Sequence, residues 1–136
     1  MFLQGAKAYQ EVNVSSAVNS ASPVRLIVLL YEGALGALTS AKLEMGNNNV
    51  VAKARLITRA IDIINGLRAA LDPGKGGEIA ASLENLYEYM VRQLTMANLK
   101  NDPELLDEVH RLLTELHGAW LNLAEQEVGG RAAGAP

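Results

Sequence analysis

Cysteine is absent from this 136-residue chain, so it holds no disulfide framework and no thiolate site. A basic excess is absent too. Twelve Lys/Arg stand against fifteen Asp/Glu, a net charge of −3, which excludes general nucleic-acid binding through phosphate neutralisation. The opening Met-Phe-Leu-Gln-Gly-Ala-Lys lacks the basic start and apolar stretch of a secretion signal, and a cytoplasmic location fits. No uncharged apolar run reaches the roughly 20 residues of a membrane span, because Arg25, Glu32, Lys42 and Glu44 interrupt the longest candidate. No stable membrane insertion is expected. No segment carries the alternation of a β-strand.

What is present is helical pattern. The chain is long enough for one domain with a real core, and its 49% hydrophobic content is ordinary. It is organised around residues 22–38. Ser22 suits an N-cap and Pro23 the first helical position. Leu26 to Tyr31 are apolar without a break, so this helix is apolar on nearly every side and must be surrounded.

Helix one is expected over about 23–45, ending at Gly46-Asn47-Asn48-Asn49. Helix two covers about 49–71 and stops at the breaker cluster Asp72-Pro73-Gly74-Lys75-Gly76-Gly77. Helix three covers about 77–99, with Ile79, Leu83, Leu86, Tyr87, Met90, Leu94 and Ala97 on one face. Helix four follows the Asp102 cap and Pro103, and runs to about 126. Four helices of similar length on short connections make an all-α, antiparallel up-down four-helix bundle, residues 22–127. Residues 1–21 read as a mobile N-terminal arm or short helix, and 128–136 as a disordered tail.

Helix two has more apolar surface than one bundle stripe needs. Ile57, Ala60, Ile61, Ile64 and Leu71 form one stripe, and Leu56, Ile63, Leu67 and Ala70 an adjoining one. Lys53, Arg55, Arg59, Asp62 and Arg68 are assigned to a narrow polar side. Helix three adds Tyr89 and Met96 off its main face. A surplus of this kind makes either a wide buried stripe or a shallow groove for a partner. The candidate partner-binding positions are Leu56, Ala60, Ile63, Leu67 and Leu71, with Tyr89 and Met96, and Tyr9, Val12 and Val14 of the arm.

Charge is uneven. Residues 1–75 carry a net +3 and residues 76–136 a net −6, concentrated on the later helices. That is a solvated face or a surface that steers a basic partner.

No catalytic constellation is legible. His110 and His117 share a face of helix four, but no ligand set surrounds either, so no metal is expected. Phosphorelay transfer domains carry Lys three and Gly four residues after their histidine. Here Trp120 and Leu121 follow His117 at those places, and Leu113 and Thr114 follow His110. Gly74-Lys75-Gly76-Gly77 lacks the preceding strand and the Ser/Thr ending of a phosphate loop, so it reads as a turn. Glu84 and Glu88 form an outer row that Arg92 continues as an ion-pair partner. The expected class is a non-enzymatic binding protein without cofactors. The alternative is a structural helical bundle whose extra stripe makes a homo-oligomer.

Several stretches, in this order and spacing, resemble the flagellar secretion chaperone FliS family. They are Ala8-Tyr9-Gln10, then Ser20-Ala21-Ser22-Pro23 with Leu26 to Ala34, then Arg59 to Asn65. Leu86-Tyr87-Glu88-Tyr89-Met90 through Leu94, Ala97 to Asp102, and Ala119-Trp120 complete the set. The likeness covers about residues 8–125; Glu32 stands where the family often has Asp, and Gln93 where a second Arg is common. The resemblance implies a cytoplasmic chaperone, monomer or weak dimer. It would bind the disordered C-terminal segment of flagellin, prevent premature polymerisation and dock with the membrane export gate protein FlhA. It also implies that the arm covers part of the groove until cargo displaces it.

Overall fold

The computed structural model describes residues 22–134, with side chains described through Val128. It is the expected bundle: α1 (Pro23–Gly46), α2 (Val50–Ala69), α3 (Pro73–Lys100) and α4 (Pro103–Gly134), with no strand among the described residues. Each helix packs on its two neighbours, α1 on α2 and α4, and α3 on α2 and α4. The pairs α1/α3 and α2/α4 therefore face each other across the diagonals.

Local chemistry sets the helix starts. The Ser22 hydroxyl accepts from the Arg25 N–H at 3.1 Å, as an N-cap should. Asn49 accepts from Ala52 N–H, Asp72 from Gly74 N–H and Asp102 from Glu104 N–H. α1 has the length and composition of a membrane span. Here its apolar surface goes into the bundle, where Val28, Leu30, Tyr31, Ala34, Leu38 and Ala41 are buried. Burial of this one helix on two sides by α2 and α4 explains its run of apolar residues.

Two boundaries differ from the periodicity. α3 starts at Pro73, not near 77, because Asp72-Pro73 works as Asp102-Pro103 does at α4: a cap followed by proline at the first position. Its first turn is set off by Gly77, whose φ of 54° and ψ of −126° suit glycine alone. Gly76 must also be small, since a Cβ there would fall 2.8 Å from the Ala80 Cβ. The helix α4 continues to Gly134, through the segment expected to be a disordered tail. No proline interrupts it between Pro103 and Pro136.

Lys53 departs from its expected place on a polar side: it is only 5% exposed. Its ammonium donates to the Asn98 carbonyl oxygen and to Asn101 Oδ1, both at 3.1 Å. Those acceptors lie at the C-terminal end of α3, where free carbonyls and the helix dipole favour a cation.

Candidate functional site

The apolar surplus collects at one end of the bundle. Antiparallel packing brings the start of α1, the end of α2, the start of α3 and the later part of α4 together there. Between them lies an open pocket of about 310 Å³. Leu67 and Leu71 form one wall, from the last turn of α2 and the connection after it. Ile79, Leu83 and Tyr87 rise along α3 opposite them; Ile27 of α1 and Trp120 of α4 close the sides. Asp72, Lys75 and Gly76 of the short first turn of α3 complete the rim.

Ile79 is the exposed member. At 72% exposure it stands at the lip, a large apolar side chain in water. Beneath the pocket, Tyr31 and Tyr87 are buried and their hydroxyls hydrogen-bond each other, linking diagonal helices α1 and α3. Burial pushes both phenols above their ordinary range, so both keep their protons.

The sequence-derived positions divide. Leu67 and Leu71 meet at the pocket. Ala60 of the first stripe of α2 and Ile63 of the second are both packed inside the core, so the bundle itself consumes part of each. Leu56 is half-buried against the same core. Met96 is half-buried on α3, away from the pocket lining. Tyr89 is committed to α4: its hydroxyl donates to Glu108 at 2.6 Å, and Gln93 donates to the other carboxylate oxygen at 2.9 Å. Tyr9, Val12 and Val14 lie outside the described residues. Ile27, Ile79, Leu83, Tyr87 and Trp120 were all legible as apolar, but periodicity placed them in the core. The glycine-rich turn beside them was the signal that the core stops short at this end.

The polar side chains are spent on holding helices together. Glu84 pairs with Arg68 of α2 at 2.5 Å, and Glu88 reaches the same guanidinium at 3.9 Å, so Arg68 takes the place expected for Arg92. His117 Nε2 lies 2.9 Å from Glu32 on α1, and His110 sits beside Thr39 of α1 and Thr114 of its own helix. Lys42 and Asp107 bridge the same α1–α4 seam at 3.0 Å.

An all-α bundle with an open apolar pocket among its described residues has the form of a binding module. Which module follows from comparison. The family model described as "Flagellar protein FliS" matches residues 5–127. The chain is 50% identical over 121 residues to the flagellar secretion chaperone FliS of Salmonella typhimurium, covering 88% of this chain and 90% of that protein. It is 46% identical to the flagellar secretion chaperone FliSB of Pseudomonas aeruginosa, covering 87% and 94%. It is 39% identical to FliS of Vibrio cholerae, covering 90% and 96%. The chain belongs to the FliS family of flagellar secretion chaperones.

Proposed function

We propose that this chain is a cytoplasmic export chaperone for flagellin. It binds the disordered C-terminal segment of flagellin, keeps it from polymerising early, and presents it to the export gate protein FlhA. The observation that carries the cargo reading is the pocket with Ile79 exposed at its lip. A soluble bundle gains nothing from an open apolar site unless another chain fills it. Cargo that orders on binding carries a cost of about 2–5 kcal/mol, which apolar burial along a long contact can offset. No step of this function requires a catalytic group or a cofactor.

The arm, residues 1–21, enters the fold at Ser22, at the same end as the pocket. Tyr9, Val12 and Val14 act as a weak internal competitor there. An arm of this kind lowers apparent cargo affinity by the fraction of molecules it leaves closed.

The test is calorimetric titration of the full chain with a peptide of the flagellin C-terminal segment. One-to-one, submicromolar binding with a large negative heat-capacity change is the expected result. No binding at tens of micromolar overturns the proposal. Native mass spectrometry of the free chain, expected to give a monomer or weak dimer, separates it from a homo-oligomeric bundle.

A further inference from the structure

Most of the pocket wall is fixed. Leu67 and Tyr87 are core residues, and Ile27, Leu71, Leu83 and Trp120 pack against the same core. Walls of that kind move only with the close-packed helices behind them. The rim formed by Asp72, Lys75 and Gly76 is built differently.

That rim is a turn closed on itself. The Asp72 carboxylate accepts from Gly74 N–H at 3.0 Å. The Asp72 carbonyl oxygen accepts from Lys75 N–H at 3.1 Å and from Gly76 N–H at 2.8 Å. Residues 72–76 therefore keep their shape as one small body. Their ties to the rest of the molecule are few. Asp72, Pro73, Gly74 and Lys75 are exposed, and the Lys75 ammonium has no hydrogen bond or ion pair among the described residues. Gly76 approaches Ala80 so closely that a Cβ on it would fall 2.8 Å from the Ala80 Cβ. That is a contact of bare backbone with a methyl group, and no side chain locks it.

Both ends of the turn are joints. On the α2 side Asp72 is in extended backbone, φ −115° and ψ 97°. On the α3 side Gly77 breaks the helical path with φ 54° and ψ −126°. Glycine has the widest choice of backbone angles, so reorientation there meets little steric resistance. Few buried apolar contacts and exposed backbone hydrogen bonds mark the part of a fold that moves most easily.

We infer that residues 72–76 are a hinged wall, pivoting at Gly77, by which the pocket adjusts its width to the apolar cargo side chain it receives. This inference rests on the cargo reading above. Cargo segments whose anchoring residues differ in size then fit one chaperone, because the turn moves while the core stays packed.

The first test uses the free full chain. Amide nitrogen relaxation by NMR should give Gly74 to Gly77 lower order parameters than residues 83–94, or a millisecond exchange contribution that those residues lack. A turn as rigid as residues 83–94 on both counts overturns the inference. The second test is calorimetric titration with variants of the flagellin C-terminal peptide. The anchoring position is the apolar residue whose change to Asp costs most affinity. Leu, Met and Phe at that position should bind within about threefold of one another, whereas a fixed pocket filled by Leu would lose about fivefold to a hundredfold with Phe. A loss of that size overturns the inference and leaves the chaperone reading standing. Failure of every peptide to bind overturns the chaperone reading and this inference with it.

Discussion

Lys53 of α2 holds its ammonium 3.1 Å from the carbonyl oxygen of Asn98, so one helix caps the C-terminal end of another. The same ammonium holds Asn101, whose left-handed backbone (φ 53°) turns the chain into α4. A single cation thus ties α2 to the turn between α3 and α4.

Replacing that cation tests the tie. Lys53→Met keeps the stem and removes the donors. It should lower stability by about 1.5–3 kcal/mol, the range for hydrogen bonds from a charged group. Urea unfolding followed by circular dichroism reads this directly; an unchanged midpoint would show the contact to be idle.

The pocket and the core stripe of α2 should respond in opposite ways to the same chemistry. Ile79→Asp changes an exposed residue, so stability should stay within about 0.5 kcal/mol while flagellin-peptide affinity falls at least tenfold. Ile63→Asp puts a carboxylate into the core and should unfold the protein. Thermal melts beside titrations separate the two. A folded Ile63→Asp protein, or full binding by Ile79→Asp, contradicts the assignment.

The turn at the start of α3 should tolerate no Cβ. Gly76→Ala forces a methyl against Ala80 and should cost about 1–3 kcal/mol. Gly77→Ala places a side chain at φ 54° and ψ −126°, a strain of similar size. Gly118→Ala, on α4 with open space around it, is the control and should be neutral or stabilising.

Acid should weaken the α3–α4 contact through Glu108. Hydrogen bonds from Tyr89 and then Gln93 hold its carboxyl below the ordinary value of 4.5. A carboxyl depressed by folding stabilises the protein above its unfolded value, and that stability is lost as pH falls through the folded value. Tyr89→Phe removes the main cause, so Glu108 should titrate closer to 4.5 and the loss of stability below that pH should become shallower. Carbon-detected NMR of the Glu108 carboxyl and melts from pH 3 to 7 give both readings. An unmoved titration midpoint rules out Tyr89 as the cause.

The bundle was legible because its signals are local. Ser22-Pro23 and Asp102-Pro103 are complete start signals, and the apolar spacing of α4 has one solution. The same signal at Asp72-Pro73 was outweighed by four residues of glycine and lysine, and so the first turn of α3 was lost. The pocket was half legible. Leu67 and Leu71 stood out as surplus, but so did Ala60 and Ile63, which the core consumes. Periodicity gives the face a residue occupies. It does not give how far neighbouring helices reach along the axis, and that distance separates Ile79 at the lip from Met90 in the core. Lys53 was misplaced for a related reason: a long stem can lie in the interior while its head finds carbonyls at a helix end.

The α1–α4 seam has a consequence for how the molecule is made. Every other packed pair consists of helices consecutive in the chain, and each can close as soon as its second member leaves the ribosome. α1 must wait for α4, the last of the four described helices, before Lys42 meets Asp107 and Glu32 meets His117. Until then the flank of the most apolar helix is uncovered. The nascent chaperone is for that interval an aggregation-prone client in its own right, and its fold closes only once α4 has been made.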